Sequence, residues 1–322
     1  MNPQSQESKT KELQKKISSF DKMTITNRTI LITGCSEGGL GGALAEAFHK
    51  NGDRVIATAR NPTKMARLQG LGIETLTLDV LSKESIAACV AATTEKTGGM
   101  LDMLVNNSGG GYCMPLVDSD LDEARKLFDL NVFSVLAVTQ AFMPLLLKTA
   151  AKNEKQGAYV VNNTSISSVT PSLMQGLYNS SKAAAAMLTD TLRLELAPFN
   201  IKVVDLKTGA VQSNFWGNQA GGEKPSLPAG SIYLPARDRV EKRMTGEWAV
   251  QAGIMADQWA DQVVKALSSS WWWWPPVQVW KGKLASTIWF VRGFLPFTFM
   301  DVILSQRGGM DVVKQRLQHP SS

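Results

Sequence analysis

The residues with the clearest chemical potential lie between Asn162 and Lys182, in the stretch NNTSISSVTPSLMQGLYNSSK. Tyr178 precedes Lys182 by four positions, and Ser165 precedes Tyr178 by thirteen. If a helix opens at Tyr178, that spacing of four puts the phenol and the ammonium on one face. A phenol titrates near pH 10, at about that value when unperturbed, so alone it is a poor proton carrier at neutrality. An ammonium held beside it favours the phenolate and draws its pKa down. A serine hydroxyl arriving from a strand end can hold a substrate oxygen next to the phenol. Such a trio suits proton transfer to or from a carbonyl or alcohol oxygen while another group carries hydride. Ser167 and Ser168 lie close enough to compete, and the spacing to Tyr178 selects Ser165.

These side chains need a scaffold, and the chain supplies one in regular alternation. RTILIT (Arg28 to Thr33) is a β-branched run of the kind buried in a parallel sheet. TGCSEGGLG (Thr33 to Gly41) follows, then ALAEAFHKNG reads as a helix ending near Gly52, and RVIATAR as a second strand. A right-handed crossover places the glycine loop at the carboxyl edge of the sheet, where backbone N–H groups can face a pyrophosphate. Further strands are expected at Ile73–Val80, Gly157–Ser165 and Val277–Trp280, and within Leu101–Gly110 and Ile201–Val211, each of which runs into a loop. Helices are expected at Asp122–Leu147, from about Gln175, and at Asp257–Leu267. The pattern predicts a doubly wound, mostly parallel α/β sheet in a single domain. Arg60 closes the second strand. A carboxylate there would bind an adenosine ribose, whereas a guanidinium suits a 2′-phosphate, so NADPH is favoured over NADH.

The glycine loop, serine, tyrosine and lysine fall in an order that resembles the short-chain dehydrogenase/reductase family over residues 26 to 270. The resemblance implies a Rossmann-type sheet. It also implies a catalytic set in which Ser165 orients a carbonyl, Tyr178 moves the proton, Lys182 tunes the phenol and binds ribose, and Asn131 supports a water chain. Cofactor contacts are implied for Gly34, Ser36, Gly39, Leu40 and Gly41 of the loop, for Asp79 and Asn106 on the adenosine side, and for Val211 and Ser213 on the nicotinamide side. Tyr178 and Lys182 serve both sets. The chain departs from the family pattern at four places. Gly38 lengthens the loop, Ser108 stands for alanine, Thr208 for proline, and Ser213 for threonine. The loop form, the segment TGAVQSNF and the C-terminal extension look most similar to fungal reductases related to NADPH-dependent 1-acyldihydroxyacetone-phosphate reductase. That implies a small lipophilic carbonyl substrate. Two alternatives stay open: a tailoring ketoreductase of secondary metabolism, and a non-catalytic NADPH-binding scaffold.

Composition narrows the remaining possibilities. The 322 residues carry 44% hydrophobic and 19% charged side chains, which describes a protein with a substantial core. The formal charge of +6 is scattered, with no basic stripe to suggest nucleic acid. Cys35, Cys89 and Cys113 make no CxxC pair, and with only two histidines no metal site is expected. Cys35 reads as a small residue in a tight turn. Residues 1–25 lack the apolar core of a secretory signal and read as a disordered tail. The reductase domain is expected over 26–282, with a substrate-covering lid near 214–245. Residues 283–322 form an apolar extension that follows Trp271–Trp274. Its segment Leu284–Leu304 is broken by Arg292, Pro296 and Asp301, which argues against a spanning helix. Peripheral membrane contact is the favoured reading; a cap over the cleft or a subunit contact are the others. An intracellular location is expected, cytoplasmic or on an internal membrane or lipid droplet, and the resemblance adds a homo-oligomer.

Overall fold

Every strand of the sheet points the same way. The computed structural model describes residues 27–215, 225–246, 251–269 and 276–318. Strands β1 (Thr29–Ile32), β2 (Arg54–Ala59), β3 (Glu74–Thr77), β4 (Met103–Asn106), β5 (Ala158–Asn163), β6 (Ile201–Thr208) and β7 (Gln278–Lys281) form one sheet in the order β3-β2-β1-β4-β5-β6-β7. All six neighbouring pairs are parallel. The strand order reverses between β1 and β4, and a crevice opens at the carboxyl edge there. The apolar runs of the central strands have a direct cause. Ile30, Leu31 and Ile32 are all fully buried, because helices cover both faces.

The helices are α1 (Leu40–Lys50), α2 (Ala66–Gly70), α3 (Lys83–Thr97), α4 (Leu121–Phe128), α5 (Ser134–Lys152), α6 (Gly176–Leu196), α7 (Arg237–Met244), α8 (Ala256–Ser268), α9 (Ala285–Phe294), α10 (Asp301–Gly308) and α11 (Met310–Gln318). On one sheet face, Leu44 and Phe48 of α1 pack with Trp259 and Val263 of α8. On the other, Ile86 of α3 meets Val138 and Phe142 of α5, with Leu192 of α6 alongside. At the amino end of the sheet Arg28 makes a two-pronged ion pair with Asp53, at 2.8 and 3.0 Å. Arg28 also donates to the carbonyl of Leu267, at the end of α8, and to Ser268 Oγ.

Two expectations need correction. The single helix expected over Asp122–Leu147 is two, α4 and α5, joined by a π turn at Asp129–Phe133 that contains Asn131. The lid near 214–245, expected as a long loop over the substrate, contains α7, whose Val240 and Met244 lie one turn apart and are fully buried. The extension folds into three short helices, and α9 has 10 residues where a span needs about 20. Among the described residues one helical stretch, Leu121–Lys152, is long and apolar enough to cross a membrane, and half of its apolar window is buried.

The extension returns to the body of the fold. Val313 of α11 packs with Cys113, Met174, Leu227, Val240 and Met244. Arg316 pairs with Asp238 of α7 at 2.5 Å. The expected tail at 1–25, Trp271–Trp274, and positions 216–224 of the lid lie outside the described residues.

Candidate active site

The carboxyl edge opens into a cavity of about 1600 Å³. That exceeds the roughly 300–1,000 Å³ of an ordinary small-molecule pocket and leaves room for two ligands. The glycine loop forms one wall, through Gly34, Ser36, Gly38, Gly39 and Leu40. Gly38, the inserted residue, has φ +73°, and a Cβ there would lie 2.2 Å from Asn214 Nδ2. Its carbonyl accepts from the Asn214 amide at 3.0 Å, so the longer loop is tied to the segment after β6. Gly41 does not line the cavity. A Cβ on it would come within 2.5 Å of the Gly34 carbonyl, so this glycine allows α1 to pack tightly behind the loop. Cys35 is buried and donates to the Ile32 carbonyl at 3.3 Å, and burial pushes its thiol up to about 12.

Ser165, Tyr178 and Lys182 stand together on the opposite wall. β5 ends just before Ser165, whose Oγ accepts from the Ser167 amide at 3.1 Å and hydrogen-bonds with the Tyr178 phenol. Helix α6 carries the other two, and Lys182 Nζ lies 5.9 Å from the centre of the Tyr178 ring. The ammonium donates to the Asn163 carbonyl at 3.0 Å. Ser168 does not compete for the phenol, because its hydroxyl donates to the Ser165 carbonyl at 2.6 Å.

The electrostatics of the pair reverse the expected direction. Burial pushes the Tyr178 phenol up to about 12, against the lowering effect of the Ser165 hydrogen bond. Burial also pulls the Lys182 ammonium down to about 8, against the opposing charge of Asp205. Desolvation of both groups outweighs their mutual influence. A phenol that keeps its proton at neutral pH can donate it to a developing alkoxide.

Asn131 stands one layer behind this wall and is 1% exposed. Its side chain accepts from the Gly110 amide at 2.8 Å and donates to the Gly110 carbonyl and to Ser181 Oγ. The π turn frees it for this work, as such turns commonly do at functional sites. Asn106 needs correction as a cofactor contact. Its amide points into the core and donates to Thr139 and Asn162, both at 2.9 Å. Successive strand residues face opposite sides, so the cavity receives its neighbour Asn107 instead. Asn107 holds Thr33 and Gly34 carbonyls and accepts from Asn163.

Arg60 and Asp79 line the adenosine end, and Val211 and Ser213 the far side beneath the loop after β6. Lys64, which the sequence reading missed, joins Arg60 there. The outer wall is apolar, formed by Leu284 and Ile288 near α9, by Met300, and by Leu304 of α10. The site fits a dinucleotide: a glycine cradle that any Cβ would fill, the amino end of α1, and two cations at the adenosine end. Among the described residues no cluster of His, Cys, Asp and Glu could hold a metal.

Comparisons with known proteins agree with this geometry. The short chain dehydrogenase family profile matches residues 28–224. "Short-chain dehydrogenase/reductase GME11361" from Pestalotiopsis microspora is 45% identical over 92% of this chain and 99% of its own. "NADPH-dependent 1-acyldihydroxyacetone phosphate reductase" from Schizosaccharomyces pombe is 35% identical over 80% of this chain and 86% of its own. A short-chain dehydrogenase structure from Streptomyces avermitilis superposes with a TM-score of 0.67 at 25% identity, covering 93% of this chain and all of that one.

Proposed function

The chain belongs to the short-chain dehydrogenase/reductase family, and from that premise we propose NADPH-dependent reduction of a ketone on a lipophilic substrate, or the reverse oxidation of its secondary alcohol. The observation that carries this reading is the Ser165–Tyr178–Lys182 wall facing the glycine loop across one cavity. NADPH supplies the hydride. Ser165 holds the carbonyl oxygen, the Tyr178 phenol donates its proton to that oxygen, and Lys182 holds the ribose beside it. Asn131 keeps the Gly109–Gly110 backbone and Ser181 in place and supports the water chain by which the phenol regains its proton.

Arg60 and Lys64 support NADPH over NADH, because two cations at the adenosine end suit a 2′-phosphate. The apolar outer wall favours a substrate with a long hydrocarbon portion. Arg243 and Lys283 line the cavity as well and suit an anionic head, so an acyl-dihydroxyacetone-phosphate-like lipid is the favoured substrate. The printed name of the fission-yeast relative supports the same choice. In this reading the enzyme is intracellular and touches a membrane or lipid droplet through Trp289, Phe290 and Phe294, which are exposed on α9. It self-associates through α5 and α6, where Leu147, Met187 and Leu194 are exposed.

Tyr178→Phe tests the core of the proposal. The variant should lose turnover by about 100-fold or more, the scale of a lost general acid, and keep its NADPH affinity. Full turnover in this variant would end the mechanism.

A further inference from the structure

Two charged side chains of β6, Asp205 and Lys207, are 0% and 2% exposed, and they pair at 2.5 Å beneath the catalytic wall. Removing two charges from water is costly, and apolar residues would often serve stability as well. The partners of this pair show what the cost secures. Thr164 Oγ1 donates to Asp205 Oδ1, and Asp205 Oδ2 accepts from Lys207. Lys207 Nζ donates to Ser168 Oγ at 2.9 Å, and Ser168 Oγ donates onward to the Ser165 carbonyl. The Trp280 ring of β7 covers the ammonium at 5.8 Å. Ser165 is therefore tied on both sides: through Thr164 to the carboxylate, and through Ser168 to the ammonium.

We infer that Asp205 and Lys207 are positioning residues, which hold the turn Thr164–Ser168 so that the Ser165 hydroxyl meets the Tyr178 phenol and the substrate oxygen. Position matters at this point because a displacement of about 1 Å at a reacting group can cost about 100-fold in rate. The Asp205 charge also reaches Lys182 and favours its protonated form, so the pair acts on two members of the wall. The neutral polar ladder on the same sheet face, Thr139–Asn106–Asn162–Thr189, makes no hydrogen bond to Ser165.

The inference rests on the reductase reading, and the test separates the two. Ser168→Ala cuts the ammonium tether at a half-buried site, Thr164→Val cuts the carboxylate tether, and Thr164→Ser keeps it. Amide exchange at residues 167–170 of the ligand-free protein should quicken about tenfold in the first two variants, as a local opening would, and not in the third. NADPH oxidation with methyl undecyl ketone should show kcat down about 10- to 100-fold in the first two, with NADPH affinity near wild type, and Thr164→Ser close to wild type. Wild-type exchange in the turn, or quickened exchange with unchanged kcat, overturns the inference. If Thr164→Val fails to fold, Ser168→Ala decides by the same readings. No turnover by the wild-type protein with this ketone or with acyl-dihydroxyacetone phosphate counts against the reductase reading, and the exchange rates then decide the tether alone.

Discussion

Among the described residues the fold buries two ion pairs at opposite ends of its sheet, and they have different tasks. Arg28 and Asp53 lie at the amino end, where the guanidinium also caps the Leu267 carbonyl at the end of α8. Asp205 and Lys207 lie at the carboxyl edge, bonded to the residues that flank Ser165. Both pairs pay a desolvation cost and both satisfy their hydrogen-bonding groups, so burial alone does not distinguish them. Their neighbours do. The first pair joins β1, β2 and α8, far from the cavity, and its loss should be felt in stability. The second adjoins the catalytic turn, and its loss should be felt in rate.

The largest expected effect breaks the comparison at its structural end. Arg28→Met leaves Asp53 buried and unpaired and should lower unfolding free energy by about 3–5 kcal/mol, with turnover per folded molecule preserved. Urea titration beside an active-site count checks this; unchanged stability would make the two pairs equivalent. A third cation sharpens the contrast because it faces solvent. Arg60 is exposed, so Arg60→Glu should leave melting temperature in place and weaken NADPH binding by about tenfold, the worth of one charge-assisted hydrogen bond. NADH binding should not fall with it, and separate titrations of the two nucleotides read the difference.

A further prediction, gradual because it is spread over a pH window, concerns a cation that is buried without a salt-bridge partner among the described residues. Lys182 titrates near 8 in the fold against 10.5 ordinarily, so the unfolded chain holds more protons between those values. Stability relative to Lys182→Met should therefore rise as pH climbs from about 8 to 10.5, and be lost as pH falls through 8. A flat difference between the two proteins over that window would show that the ammonium is not desolvated as its burial implies.

The parts of the molecule that sequence made legible are those where one physical requirement leaves one residue type. Buried parallel strands demand apolar runs such as TILI, and the glycine cradle admits no side chain. The fold class and the meeting of Ser165, Tyr178 and Lys182 in one wall follow from such requirements. Where two outcomes differ by a single step, sequence did not separate them. Asn106 and Asn107 are chemically identical, and strand parity alone decides which one enters the cavity. Helix α7, RDRVEKRM, hides its inward face because Val240 and Met244 are its apolar signal among six charged residues. Asp205 and Lys207 read as surface charges in IKVVDLKT, since nothing local says that α6, β7 and the serine turn will cover them. The direction of the phenol's shift was also out of reach, because the spacing of Tyr178 and Lys182 reports proximity and not the depth at which both are withdrawn from water.

Helix α9 turns Ile288 toward the cavity while Trp289, Phe290 and Phe294 look outward. On the proposed reading, cargo choice and the enzyme's immediate surroundings would meet on a single rod of ten residues. A tilt of that rod that widens the chamber for bulkier molecules also re-aims its outer rings, so drift in one trait drags the other along.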